Sequence, residues 1–224
     1  MNESATCSLR IDQPRRLLAA SVEMERLARQ VAERVIRSDL AAPGFAALDL
    51  GTDLSPDEFA VLLERLAAAL DVLYRQRTGR SFTVVHQGKF DQQRSTMPHR
   101  DGGPDRSILL LGYEPTAVES QFFLIDYTRC AGEQELHPRE YLRQYNPMND
   151  ARPDPCLERQ THRIEPFPGQ HYRILLINNS NLAPTEPHEG MLGVLHHAII
   201  TRPDPTQSRT IHSFMLCVDS PAPS

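Results

Sequence analysis

A chain of 224 residues with 40% hydrophobic and 24% charged side chains has the makeup of an ordinary globular protein with one sizeable core. Its net charge of −5 gives no basic footprint for nucleic acid, and no apolar run is long enough to span a membrane. The start, MNESATCSLRIDQPRRLL, lacks the apolar stretch of a secretory leader, so a cytoplasmic location is expected. The four cysteines (Cys7, Cys130, Cys156 and Cys217) are scattered without a CxxC, and free thiols are expected.

The run RRLLAASVEMERLARQVAERVIRS, residues 15–38, carries Ala20, Met24, Leu27, Val31 and Val35 at steps of three and four, one apolar stripe on a helix. GFAALDLG, residues 44–51, reads as a short strand. Ser55 as N-cap, Pro56 in the first turn and Glu58 placed for a capping box announce a second helix. Its apolar face runs through Phe59, Leu62, Leu66, Leu70 and Leu73 and stops at Thr78-Gly79. Both stripes are scaffold.

From residue 80 the texture becomes β-rich. Candidate strands at 81–90, 93–98, 107–114, 120–127, 161–167, 171–179, 193–201 and 209–218 are separated by Gly, Pro, Asp and Asn. A helix over HPREYLRQY, residues 137–145, interrupts them. The Pro-rich stretches 147–160 and 182–192 exceed hairpin length and read as lids. The expected fold is α+β: an eight-stranded antiparallel jelly roll packed with N-terminal helices. One domain over 1–224 is expected, with 1–79 as helical support and 80–218 as the core.

Chemistry concentrates in three places. STMPHRDGGPDRS, residues 95–107, sets His99 and Asp101 two positions apart, hence on one side of an extended chain. His196 and His197 lie in the seventh candidate strand, and Arg209 begins the eighth. Two imidazoles and a carboxylate on one face of an octahedron leave positions open for a co-substrate and oxygen, as non-haem Fe(II) oxygenases require.

On these residues the chain resembles the Fe(II)- and 2-oxoglutarate-dependent oxygenases, whose double-stranded β-helix carries H-x-D…H…R. The resemblance covers roughly 80–218 and implies that His99, Asp101 and His196 bind Fe²⁺. It implies that Arg209 receives the far carboxylate of 2-oxoglutarate, which is split to succinate as a substrate is oxidised. Many relatives place Ser or Thr two residues after that arginine. This chain has Ile211 there, with Ser213 as the substitute.

Strand parity lets only one of His196 and His197 face inward. The ligand of the resembled family usually follows an apolar pair, which implies His196, and His197 stays open. The partners implied are a small-molecule substrate and O₂, with hydroxylation the commonest outcome and no nucleic acid or membrane expected. The HRD triplet also opens the protein-kinase catalytic loop, but the Asn, DFG and Gly-rich loop of that fold are absent. A cupin-like metal isomerase or hydrolase and a non-catalytic metal-binding barrel are the alternatives. Neither of those needs an arginine for a keto acid.

Overall fold

The structure is a computed structural model that describes residues 8–148, 154–166, 168–183 and 191–218. Its strands are β1 (Ser8–Arg10), β2 (Phe45–Asp49), β3 (Phe82–Asp91), β4 (Ser107–Tyr113), β5 (Glu119–Ile125), β6 (Thr161–Ile164), β7 (Arg173–Asn178), β8 (Leu195–Arg202) and β9 (Thr210–Val218). Its helices are α1 (Pro14–Ala19), α2 (Ser21–Val35), α3 (Pro56–Thr78), α4 (Tyr127–Glu133), α5 (Pro138–Gln144) and α6 (Pro155–Arg159). The class is α+β. A six-stranded sheet runs β1-β2-β7-β4-β9-β3 and a three-stranded sheet runs β6-β5-β8. All the strand pairs are antiparallel except β1 with β2.

Period-two patterning sorts the core into layers. On the large sheet Leu48, Ile108, Leu110, Ile174, Leu176, Phe214 and Leu216 face one way, against Met24, Leu27, Val31, Leu62, Leu63 and Leu66 of the helices. The alternate residues Ala47, Leu109, Leu111, Tyr113, Leu175, Ile177, Ile211 and Met215 face Phe122, Leu124 and Ile164 of the small sheet. Strands β4 and β7 lie under both layers and are buried throughout, which is why SILLLGY and RILLIN read as nearly unbroken apolar runs. A third cluster, with Tyr127, Cys130, Tyr141, Cys156 and Leu157, joins α4–α6 to Ile125 and Leu195 of the small sheet.

Helix α3 starts where the sequence says. Ser55 and Glu58 form both hydrogen bonds of the capping box, and Gly79 closes the helix at φ 71°. It lies so close on β4 that a Cβ at Gly112 would come within 2.6 Å of a Leu63 methyl.

The sequence reading needs several corrections. The N-terminal helix is two, broken at Ala20, which is extended at φ −120°, ψ 117° and so lets Leu17 turn into the core. The run 93–98 is no ladder strand. It meets β8 irregularly: Thr96 N–H donates to Ala198 O at 2.9 Å, while Ser95 Oγ and Thr96 Oγ1 accept from Ile200 N and Ala198 N. Strand β5 stops at Ile125 because Asp126 caps the unanticipated α4, accepting from Arg129 N.

Within the stretches read as lids, α6 occupies 155–159, and Leu182, Met191 and Leu192 are core residues. Residues 149–153 and 184–190 of those stretches lie outside the described residues. The expectation of free thiols fails for two cysteines: Cys130 of α4 and Cys156 of α6 are joined by a disulfide. At a sequence separation of 26 no local spacing announced the pair, and closing such a loop contributes about 3 kcal/mol in the chain-entropy account. Such bonds are uncommon in reducing compartments. Cys217 is buried and takes no part in that disulfide, and Cys7 lies outside the described residues. No helix among the described residues is long and apolar enough to cross a membrane.

Candidate metal centre and its cavity

His99 and Asp101 sit in the segment that leads from β3 to β4, and His196 is the second residue of β8. A two-way backbone bridge brings them together: His99 N–H donates to His196 O at 3.0 Å and His196 N–H to His99 O at 2.9 Å. Nε2 of His99 then lies 3.2 Å from Asp101 Oδ1, and Nε2 of His196 lies 3.7 Å from the same oxygen. One donor atom from each residue falls within 4.8 Å of the others. Among the described residues this is the one such group of His, Cys, Asp and Glu that could hold a metal ion.

Parity resolves the histidine pair. His196 lies opposite Leu124, whose side chain is in the core between the sheets, and so faces inward. His197 lies opposite Phe123 on the other face, and the two rings stack at 4.7 Å and 16°.

The proton count favours a cation. His99 Nδ1 lies 2.7 Å from the carbonyl of Met97, which can only accept, so Nδ1 carries the hydrogen. In the neutral ring, Nε2 then turns a lone pair toward the Asp101 carboxylate. Only a proton or a metal ion makes that approach favourable. Without metal the proton serves: the hydrogen bond to Asp101 raises the His99 pKa. Burial dominates at His196 and pushes it down to about 4, so its imidazole is neutral and ready to ligate at pH 7.

A stability profile follows. Below about pH 6.5 the unfolded chain protonates the residue-196 imidazole while the native one refuses until about 4. His197, also lowered by burial, acts in the same direction. His99 opposes: its contribution is complete below its unfolded value and fades as pH rises through the raised native one. Metal-free protein is therefore expected to lose about 1–3 kcal/mol on going from neutral pH to about pH 4.5, measured by urea unfolding. A flat profile across that window would contradict a buried neutral His196.

Two partners of the triad escaped the sequence reading. Asn179, just after β7, holds the backbone of Asp101 from both sides: Asp101 N–H donates to its Oδ1 at 3.0 Å, and its Nδ2 donates to Asp101 O at 3.2 Å. Arg37, in the turn after α2, pairs bidentately with Asp126, both contacts at 2.8 Å, and donates to Leu192 O and Gly193 O. It thereby fixes the approach to His196. Backbones are tight there, since a Cβ at Gly193 would sit 2.0 Å from Ser180 O. Asn179 closes the candidate strand 171–179, and Arg37 falls at the end of the first helical run. Neither carries a local signal.

The triad opens onto a cavity of about 90 Å³ between the sheets, walled by Leu111, Tyr113, Phe122, Leu124, Leu175, Ile177 and Ile211. Arg209 lines it as well and is 2% exposed. Its guanidinium stands 5.1 Å from the Tyr113 ring and 5.2 Å from Phe122. Nη1 donates to Gln92 O at 2.9 Å, whereas Nε and Nη2 are buried with no hydrogen-bond partner. Ser213 shares that face of β9 by parity and is buried opposite Leu111 and Gly88, but the cavity wall contains Ile211 rather than Ser213. No protein-family model matches this chain and no curated protein does, so the reading of the site rests on its geometry.

Proposed function

We propose that the protein is an Fe(II)- and 2-oxoglutarate-dependent oxygenase acting on a small molecule, its two facing sheets serving as the jelly roll. The observation that carries this is Arg209. A buried guanidinium with two unsatisfied N–H groups is costly unless an anion completes it. Here it lies in the same apolar cavity as a two-His, one-carboxylate set. That donor set suits ferrous iron and leaves coordination positions open.

Iron held by His99, Asp101 and His196 would supply oxygen activation, with 2-oxoglutarate split to succinate and CO₂ as the substrate is oxidised. The remaining work belongs to the chain. Arg209 Nε and Nη2 donate to the far carboxylate, and the Tyr113 and Phe122 rings fix the guanidinium plane. Leu111, Leu124, Leu175, Ile177 and Ile211 exclude water, which strengthens that charge-assisted pair. The Met97 carbonyl holds the His99 tautomer, and Asn179 fixes the backbone that aims Asp101. The cavity falls well short of the roughly 300 Å³ of an ordinary ligand pocket, so it suits the co-substrate alone. The substrate approaches from the open side, where Phe90, Gln92, Thr96 and Asp101 are all partly exposed.

A cupin-like hydrolase or isomerase would use the same ligands but would leave Arg209 without a role. Iron-loaded protein given 2-oxoglutarate and O₂ is expected to form succinate and CO₂ in equal amounts, and Asp101→Ala to form neither. No succinate from folded, iron-loaded wild type would count against the oxygenase and favour the cupin-like reading. Asn179→Ala is expected to weaken metal affinity by about 10–100-fold, read by chelator competition, with the metal-free fold retained. Unchanged affinity would remove Asn179 from the positioning shell.

A further inference from the structure

At the end of the sandwich away from the triad, a second concavity of about 700 Å³ opens between the β4–β5 turn, the 168–172 loop and the β8–β9 turn. Arg173, on the inner face of β7, forms part of its wall and is 4% exposed. The Ser120 hydroxyl is in the same wall, buried with no hydrogen-bond partner. Gln170, Thr201 and Gln207 add exposed neutral donors at the rim. Glu119 is the one acid in the lining, and its carboxylate lies 3.5 Å from Arg202.

We propose that this concavity binds a small organic anion through its carboxylate or phosphate head, held by Arg173 and Ser120. Its volume falls within the range of ligand pockets, and its walls combine one buried cation with an unsatisfied hydroxyl. The guanidinium of Arg173 lies 5.9 Å from the Tyr113 ring, which also carries Arg209 at 5.1 Å. Burial first, and the Arg209 charge second, push Arg173 down to about 10, so both groups are cationic at neutral pH and repel. An anion on Arg173 relieves that repulsion.

The site is separate from the metal cavity. The two linings share no residue, and Ser120 lies opposite Ile200, four strand residues from His196 and about 13 Å away at the rise of an extended chain. The head group held here is therefore not the group that reaches the triad. The proposal stands without the oxygenase reading.

The test is a ¹H–¹⁵N titration of the metal-free full chain with inorganic phosphate and, separately, acetate, with chloride holding ionic strength constant. Saturable shifts are expected at the amides of Ser120, Gln170, Arg173 and Thr201 in at least one arm, and that arm identifies the head group. Arg173→Met is expected to abolish them. Gln207→Glu, an exposed change that adds a negative charge to the pocket, is expected to weaken binding several-fold and decides the matter if Arg173→Met does not fold. Three results overturn the proposal: no saturable shift in either arm, shifts centred on Gln92 and Arg209 instead, or binding unchanged in the variants that fold.

Discussion

Replacing Arg209 with methionine is expected to raise the dissociation constant for 2-oxoglutarate by about 100-fold while leaving the metal-free fold as stable as before. The two halves of that expectation have one cause. Arg209 is buried, makes one hydrogen bond through Nη1, and holds Nε and Nη2 without partners. Burial lowers its pKa, a sign that the charged form is poorly solvated without a ligand. Methionine of similar reach removes that cost at the expense of one bond to Gln92 O and two ring contacts. The fold therefore loses little, and the co-substrate loses a desolvated charge pair worth about 3 kcal/mol. Anaerobic titration and urea unfolding measure the two halves. A variant that is strongly destabilised yet binds 2-oxoglutarate normally would make Arg209 a structural cation.

Arg37→Met is expected to do the reverse, costing about 3–5 kcal/mol of folding stability. Arg37 is as buried as Arg209 but fully satisfied: two bonds to Asp126 and one each to Ala42 O, Leu192 O and Gly193 O. Truncation leaves Asp126 buried beside Arg129 alone, 3.6 Å away and 40% exposed, and leaves carbonyls unpaired. It also frees the 191–194 segment that places His196, so metal affinity is expected to fall about tenfold. The double variant Arg37→Met, Asp126→Leu should recover much of the stability, because the stranded charge is gone. A single variant as stable as wild type would show that the pair is replaceable packing.

The contrast between these arginines marks what the sequence can disclose. The His99–Asp101 spacing, the parity of β8 and the position of Arg209 ahead of β9 are properties of local chain geometry, and they are legible because side chains alternate along extended segments. The α3 cap is legible because its capping box is closed between Ser55 and Glu58, three positions apart. The Arg37–Asp126 pair spans 89 residues and the Cys130–Cys156 bond 26, so each depends on the finished packing. The segment 93–98 misled because its Ser and Thr look like strand residues, whereas their hydroxyls accept from the β8 N–H groups in place of backbone carbonyls. Helix α4 was hidden because its cap, Asp126, follows an apolar strand without a break.

The most direct test is an anaerobic titration of 2-oxoglutarate into Fe(II)-loaded protein, followed by the visible metal-to-ligand charge-transfer band. The band is expected in wild type and in His197→Ala, whose ring stacks on Phe123 away from the triad, and is expected to vanish in His196→Ala. No band in folded, iron-loaded wild type, or a band that survives His196→Ala and is lost in His197→Ala, would contradict the assignment of the site.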